Sequence, residues 1–171
     1  MPAADPPNVA AVVLAAGSSK RMGRNKLLLD LGGESVVRRT VRAAVEAGLQ
    51  PVVVVLGHEA ELVRAELDGL PCRSVLNPGH AEGAATSLRK GVAEVPKEAA
   101  ALMVVLADMP FVTPAMLRSM VEQYAAKPAP VVVSRYGDVE APPTLFDRSV
   151  FPELSAIAGD RCARQVARRH E

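Results

Sequence analysis

The sequence predicts an α/β protein, a three-layer αβα sandwich around a mostly parallel sheet. Three observations predict it. Short apolar runs alternate with stretches of helical periodicity. The runs are continuous Val and Leu, the pattern of strands buried on both faces, rather than an apolar–polar alternation. And the 171 residues are 49% hydrophobic but only 3% aromatic, without Trp, so the core must be built from Val, Leu and Ala. The length suits one domain with a full core. Residues 1–8, MPAADPPN, read as a flexible tail, and residues 9–171 as a single domain.

Each element follows from its pattern. VAAVVL (9–14) is the first strand. Residues 36–47 place Val37, Val41, Ala44 and Val45 at helical spacing, and Gly48 ends the helix. PVVVVL (51–56) is the second strand and 59–68 a short helix with Leu62, Val63 and Leu67 inward, stopped by Gly69. Gly57-His58 between them reads as a turn. CRSVL (72–76) is the third strand; 84–95 is a helix with Leu88, Val92 and Val95 on one face. ALMVVL (101–106) is the fourth strand. Thr113-Pro114 supplies an N-cap and a first-turn proline for a helix bearing Leu117, Met120, Val121 and Tyr124 on one face. PVVVS (130–134) is the fifth strand, followed by a turn at Tyr136-Gly137-Asp138. Short helices near 147–154 and 160–169 close the chain.

Composition narrows the function classes. A formal net charge of +1 is unlike the basic footprint of a nucleic-acid binder. Cys72 and Cys162 fit no metal or redox spacing, and His58, His80 and His170 are scattered, so free thiols in a reducing compartment are expected. The apolar run after the tail lacks a preceding positive segment, and no stretch approaches the roughly 20 apolar residues of a membrane span. The expectation is a soluble cytoplasmic protein without nucleic-acid or membrane partners.

In a parallel α/β sheet, ligands bind beyond the carboxyl ends of the strands. Strand one ends in Gly17-Ser18-Ser19, followed by Arg21 and Lys26. Small residues let a backbone approach a ligand, successive N–H groups can cradle an anion, and Arg and Lys add charge-assisted bonds to phosphate. The spacing is neither GxxxxGK[ST] nor GxGxxG. The alternative is an ordinary basic surface loop. Strand four ends in Ala107-Asp108-Met109-Pro110, and a carboxylate there can hold the Mg²⁺ that phosphate chemistry needs; the alternative is a turn cap before Pro110. Strand three runs into Asn77-Pro78-Gly79-His80-Ala81-Glu82-Gly83, with Thr86 and Ser87 in the first turn of the next helix. That loop could read a base edge or simply connect.

Together these motifs resemble one family. LAAG-SSKRMG-RNKLLLDLGG is similar to the N-terminal signature of the MobA-like nucleotidyltransferases, of the branch of molybdenum cofactor cytidylyltransferases. NPGHAEGAATSLRKGV, LADMPFVTPAML and PTLFDRSVFPELSAIAGDRCAR match that branch in order, so the resemblance spans Val9 to Arg164. It implies a Rossmann-like fold of the nucleotide-diphospho-sugar transferase type. It implies that the chain binds a nucleoside triphosphate through Ala15, Ala16, Gly17, Ser18, Ser19, Arg21, Lys26, Asn77, Gly83, Ser87 and Asp108. Arg21, Lys26 and Asp108 would be catalytic, and Asp108 the Mg²⁺ ligand. In this family LAAG accompanies cytidine users, so Ala15-Ala16-Gly17 implies CTP. The implied reaction is attack by an acceptor phosphate on the α-phosphorus, with pyrophosphate leaving and no side-chain nucleophile.

The implied acceptor is a terminal phosphate on a molybdopterin-type cofactor, and a molybdenum hydroxylase apoenzyme is an implied partner. Gly159-Asp160-Arg161-Cys162-Ala163-Arg164 resembles the GDxGAR motif, so Asp160, Arg161 and Arg164 would face that acceptor. Arg161, Arg164 and Arg168 would share a helix face, which could equally be a solvated basic surface. Ala141-Pro142-Pro143 replaces the usual Gly-x-Pro, Cys162 the usual Gly, and a DxDTPEDL-like segment does not follow within this sequence. These departures bear on the acceptor and on a second metal ligand. Two alternatives stay open: a related transferase using a sugar phosphate or GTP, and a non-catalytic nucleotide- or cofactor-binding accessory protein.

Overall fold

A computed structural model describes residues 5–18, 23–159 and 162–171. Its elements are β1 (Val9–Ala15), α1 (Val36–Glu46), β2 (Val52–Leu56), α2 (Ala60–Glu66), β3 (Arg73–Leu76), α3 (Ala84–Ala93), β4 (Ala101–Leu106), α4 (Pro114–Ala126), β5 (Val131–Tyr136), β6 (Val139–Asp147), α5 (Phe151–Ala156) and α6 (Ala163–Ala167). They form one six-stranded sheet in the order β3-β2-β1-β4-β6-β5. β1 pairs in parallel with β2 and with β4, and β2 with β3. β6 runs antiparallel to both β4 and β5. The expected Rossmann-like sandwich, mostly parallel with helices on both faces, is the observed architecture.

The continuous Val/Leu strands divide by residue parity between two cores. Ala11, Val13 and Ala15 of β1 face a layer with Val37 and Val41 of α1, Val63 of α2 and Leu117 and Met120 of α4. Ala10 and Val12 face a second layer with Leu88 and Val92 of α3, Leu154 of α5 and Val166 of α6. Alternate side chains of a strand point to opposite faces, so a strand buried on both sides shows no polar alternation. Burying a Leu or Val side chain this completely contributes about 1.5–3 kcal/mol. Gly91 brings α3 onto the sheet: a Cβ there would lie 2.3 Å from Val12 Cγ1 and 3.0 Å from Val55 Cγ2.

Thr113, Gly48 and Gly69 start and stop helices as the sequence predicts, and Ser35 adds a cap that the sequence reading did not single out. Ser35 Oγ accepts from the Arg38 amide at the head of α1, and Thr113 Oγ1 from the Met116 amide at the head of α4. Gly48 and Gly69 take positive φ after α1 and α2.

The structure differs from expectation at the C-terminal third. The sequence reading has five strands; the structure has a sixth, β6, in the segment VEAPPTLFD. Two prolines inside it argue against a ladder strand, since proline brings no N–H. The structure accommodates them because the β4 ladder covers only Thr144–Asp147 and stops short of them. The β5–β6 register also shifts between Val133 and Ser134, where the Ser134 hydroxyl donates to the Pro143 carbonyl at 2.7 Å. The closing helices sit later and are shorter than expected, at Phe151–Ala156 and Ala163–Ala167.

Candidate active site

The loops after β1, β2, β3 and β4 all leave the same edge of the sheet, because those strands are parallel. Between them lies a cleft of about 650 Å³, within the range of small-molecule sites. One wall carries Gly17, Ser18, Lys26 and Asp108; the other carries His58, His80, Gly83 and Ser87. A second hollow, of about 590 Å³, opens at the opposite edge between Gly48–Val52 and Pro71–Arg73. It lies at the amino ends of β2 and β3, away from the edge where α/β sheets bind ligands.

The first wall is built by anchoring a lysine between two fixed neighbours. Asn25 is buried, and its Oδ1 accepts from the Leu27 amide at 3.1 Å, capping a 3-10 turn over Lys26–Leu28. Leu27 is buried in the core. Lys26 is thereby directed outward, and its Nζ lies 2.7 Å from Asp108 Oδ2. Both side chains remain partly exposed, at 43% and 35%, so the pair adds little to stability. Its consequence is local: a cation and a carboxylate share one wall of the cleft. Asp108 is placed from behind by Thr40 of α1, whose buried hydroxyl donates to the Ala107 carbonyl at 2.9 Å. A Cβ at Gly17 would meet no atom within 4 Å, so no contact of the described residues requires glycine there.

The second wall is tied together more tightly than the sequence suggests. A Cβ on Gly57 would come within 2.7 Å of the His80 side chain and 2.8 Å of Ala16 Cβ. The loops after β1, β2 and β3 thus close on a single glycine. The turn reading of Gly57-His58 missed this, and missed that His58 lines the cleft; only the placement of three separate loops reveals it. Gly83 caps α3 at φ 122, a conformation that favours glycine.

The predicted residues are not all brought to the cleft. Ala16, Gly17, Ser18, Lys26, Gly83, Ser87 and Asp108 line it. Ala15 is buried within β1 and faces the core. Asn77 is not among the residues that line the cleft: it is buried, its Nδ2 donates to Thr86 Oγ1 and Ser87 Oγ at 2.9 Å each, and its Oδ1 accepts from the Gly79 amide. Both hydrogens of its amide group are engaged in fixing the loop to α3. Arg164 is exposed on α6 and does not line the cleft. Ser19, Arg21, Asp160 and Arg161 lie outside the described residues. The Gly159 carbonyl accepts from the Ala85 amide in the first turn of α3.

Among the described residues no cluster of three or more His, Cys, Asp or Glu side chains could hold a metal ion. Asp108 is the one carboxylate among the cleft-lining residues described. That fits Mg²⁺, which is commonly held by one or two carboxylates with substrate phosphates and waters completing the shell. Resolved pKa shifts fall elsewhere: a hydrogen bond from Arg42 holds Glu34 low, and burial pushes the Cys72 thiol up. Among the described residues no helix is long and apolar enough to cross a membrane.

A parallel α/β sheet with a small-residue, lysine-bearing cleft over its carboxyl edge is the frame of a nucleotide-handling transferase. The family described as MobA-like NTP transferase domain matches residues 11–171, and the chain belongs to that family of nucleotidyltransferases. Bifunctional protein GlmU of Geotalea uraniireducens (strain Rf4) is 32% identical over 175 residues, covering 93% of this chain but 37% of GlmU. The chain therefore spans little more than a third of that relative. Nicotine blue oxidoreductase of Paenarthrobacter nicotinovorans is 29% identical, with 96% and 84% of the two chains covered. The crystal structure of Rv0371c from Mycobacterium tuberculosis H37Rv has a TM-score of 0.86 at 34% identity, covering 96% of this chain and 85% of that one. A further crystal structure of Rv0371c is a complex with manganese.

Proposed function

We propose that the chain transfers CMP from CTP to the terminal phosphate of a molybdopterin-type cofactor and releases pyrophosphate. The observation that carries this reading is the Lys26–Asp108 pair, 2.7 Å apart on one wall of the cleft beside Gly17 and Ser18. Two anions, the triphosphate and the acceptor phosphate, must meet, so charge neutralisation and in-line placement dominate the barrier. Lys26 would leave Asp108 for the β- and γ-phosphate oxygens. The Gly17–Ser18 backbone would follow the triphosphate closely. Asp108 would hold Mg²⁺, which supplies positive charge to the phosphate oxygens when bound. An acceptor phosphate oxygen then attacks the α-phosphorus, the bond to the β-phosphate breaks, and pyrophosphate departs. Arg21 would add a planar fork to the phosphates, and Asp160, Arg161 and Arg164 would meet the acceptor. CTP is favoured by Ala15-Ala16-Gly17, and the metal role of Asp108 by the manganese held in Rv0371c.

The test is pyrophosphate release from each nucleoside triphosphate with Mg²⁺, with the pterin cofactor or a sugar phosphate as acceptor. The reading expects release from CTP only when the pterin is present. Release with the sugar phosphate instead would identify a different acceptor on the same site. No release with any pair would point to a binding role without transfer.

A further inference from the structure

Strand order decides which end of a bound nucleotide meets which loops. β1 and β4 are neighbours, and their loops present Gly17, Ser18 and Asp108. β2 and β3 lie on the other side of β1, and their loops present His58 and His80. A nucleotide with its phosphates on Lys26 and Asp108 extends its base toward β2 and β3.

At that end stands an unusual pair. Among the described residues Glu59 is the one non-glycine with positive φ, at φ 49 and ψ 40. Such backbone is uncommon outside glycine and clusters at functional sites. Glu59 also occupies the N-cap of α2, where an acidic side chain ordinarily accepts from the first free amides. It makes no capping bond. Its carboxylate instead meets the neighbouring ring, with Oε1 3.1 Å from His58 Nε2. The His58 backbone is held too, its amide donating to the Ala16 carbonyl.

We infer that His58 reads the nucleobase and that Glu59 sets the ring for it; the inference rests on the CTP reading of this cleft. A neutral imidazole that donates Nε2–H to Glu59 leaves Nδ1 as an acceptor. An acceptor pairs with the exocyclic amino group of cytosine and opposes the O4 oxygen of uracil. His58 is then the specificity-determining group, and Glu59 a positioning residue that acts through it.

The experiment is calorimetric titration at pH 8 with Mg²⁺, using CTP and UTP on the wild type, His58→Ala and Glu59→Gly. Glycine suits the positive φ at position 59, so that variant keeps the fold while removing the carboxylate. The wild type should favour CTP over UTP by about tenfold, the worth of one hydrogen bond set against an unpaired carbonyl. Both variants should bring the two affinities within about twofold, through weaker CTP binding. Lys26→Ala should lower both affinities and keep their ratio. A wild type without preference, or a His58→Ala variant with the wild-type ratio, overturns the inference while leaving the cleft reading intact, because nucleotide still binds. A wild type that binds neither nucleotide removes both.

Discussion

Thr40, in the middle of α1, has one hydroxyl proton shared between the Val36 carbonyl one turn back, 3.0 Å away, and the carbonyl of Ala107, 2.9 Å away and 67 residues later in the chain. A helix on one face of the sheet thereby fixes the turn that presents Asp108. Thr40 is 1% exposed, so water cannot replace the bond. Thr40→Val keeps the shape and removes the donor. It should cost about 1–2 kcal/mol, lowering Tm by about 2–8 °C. Mg²⁺-dependent turnover should fall further, by about tenfold, while CTP affinity without Mg²⁺ holds. An unchanged kcat with a lowered Tm would make Thr40 a purely structural group.

Lys26→Ala should leave stability within about 1 kcal/mol, because the pair with Asp108 is solvent-exposed. Its effect belongs to the ligand. A charge-assisted bond to phosphate is worth about 1.5–3 kcal/mol, so CTP affinity should fall about 10–100-fold and CMP affinity little. Equal losses for the two nucleotides would contradict a β- or γ-phosphate contact.

Gly91→Ala sets two effects against each other. Helix propensity gains about 1 kcal/mol, but the new methyl would press on Val12 at 2.3 Å, within the sheet's buried centre. Overpacking of this kind costs about 1–3 kcal/mol, and Val12 and Val55 are both fully buried. A net loss of stability by urea unfolding is expected, with weaker nucleotide binding because α3 carries Ser87 and is capped by Gly83. A stabilised variant would mean that α3 shifts freely.

Parts of the molecule were legible in the sequence and parts were not. The Val/Leu strands and helix caps were, because they depend on local periodicity and on residues three or four apart. β6 was not, because Pro142 and Pro143 disguise a strand whose β4 ladder stops short of them and whose β5 ladder shifts register around them. Gly17, Lys26 and Asp108 could be found from their place at strand ends. Thr40 could not, since a threonine inside a helix looks like a weak helix former until its partner 67 residues away is known. The internal bonds of Asn77 were hidden for the same reason: its partners Thr86 and Ser87 become neighbours only when α3 turns back.

Tyr124 and Asp147 provide a pH test remote from the cleft. Burial, together with the bond that the Tyr124 hydroxyl donates to Asp147, pushes the phenol up to about 12. Burial opposes ionisation of Asp147 but is outweighed by bonds from Ser149, Tyr124 and the Arg148 amide, so its carboxyl lies below the usual range. A depressed carboxyl contributes stability above its unfolded value near pH 4, lost as pH falls through the folded value. The raised phenol contributes below about pH 10, and that is lost as pH rises toward 12. In urea titrations Tyr124→Phe should be less stable than wild type from pH 5 to 9, with the gap closing toward pH 3 and again above pH 11. A gap constant across pH would mean that the hydroxyl matters only through packing.

The central claim is a metal-dependent triphosphate site built on Lys26 and Asp108. The most direct measurement is calorimetric titration of the chain with CTP, with and without Mg²⁺, beside the same titration of Asp108→Asn. The account predicts that Mg²⁺ strengthens CTP binding to the wild type at least tenfold and has no effect on the variant, whose fold is retained. Equal Mg²⁺ enhancement in both proteins, or no CTP binding by the wild type, would contradict it.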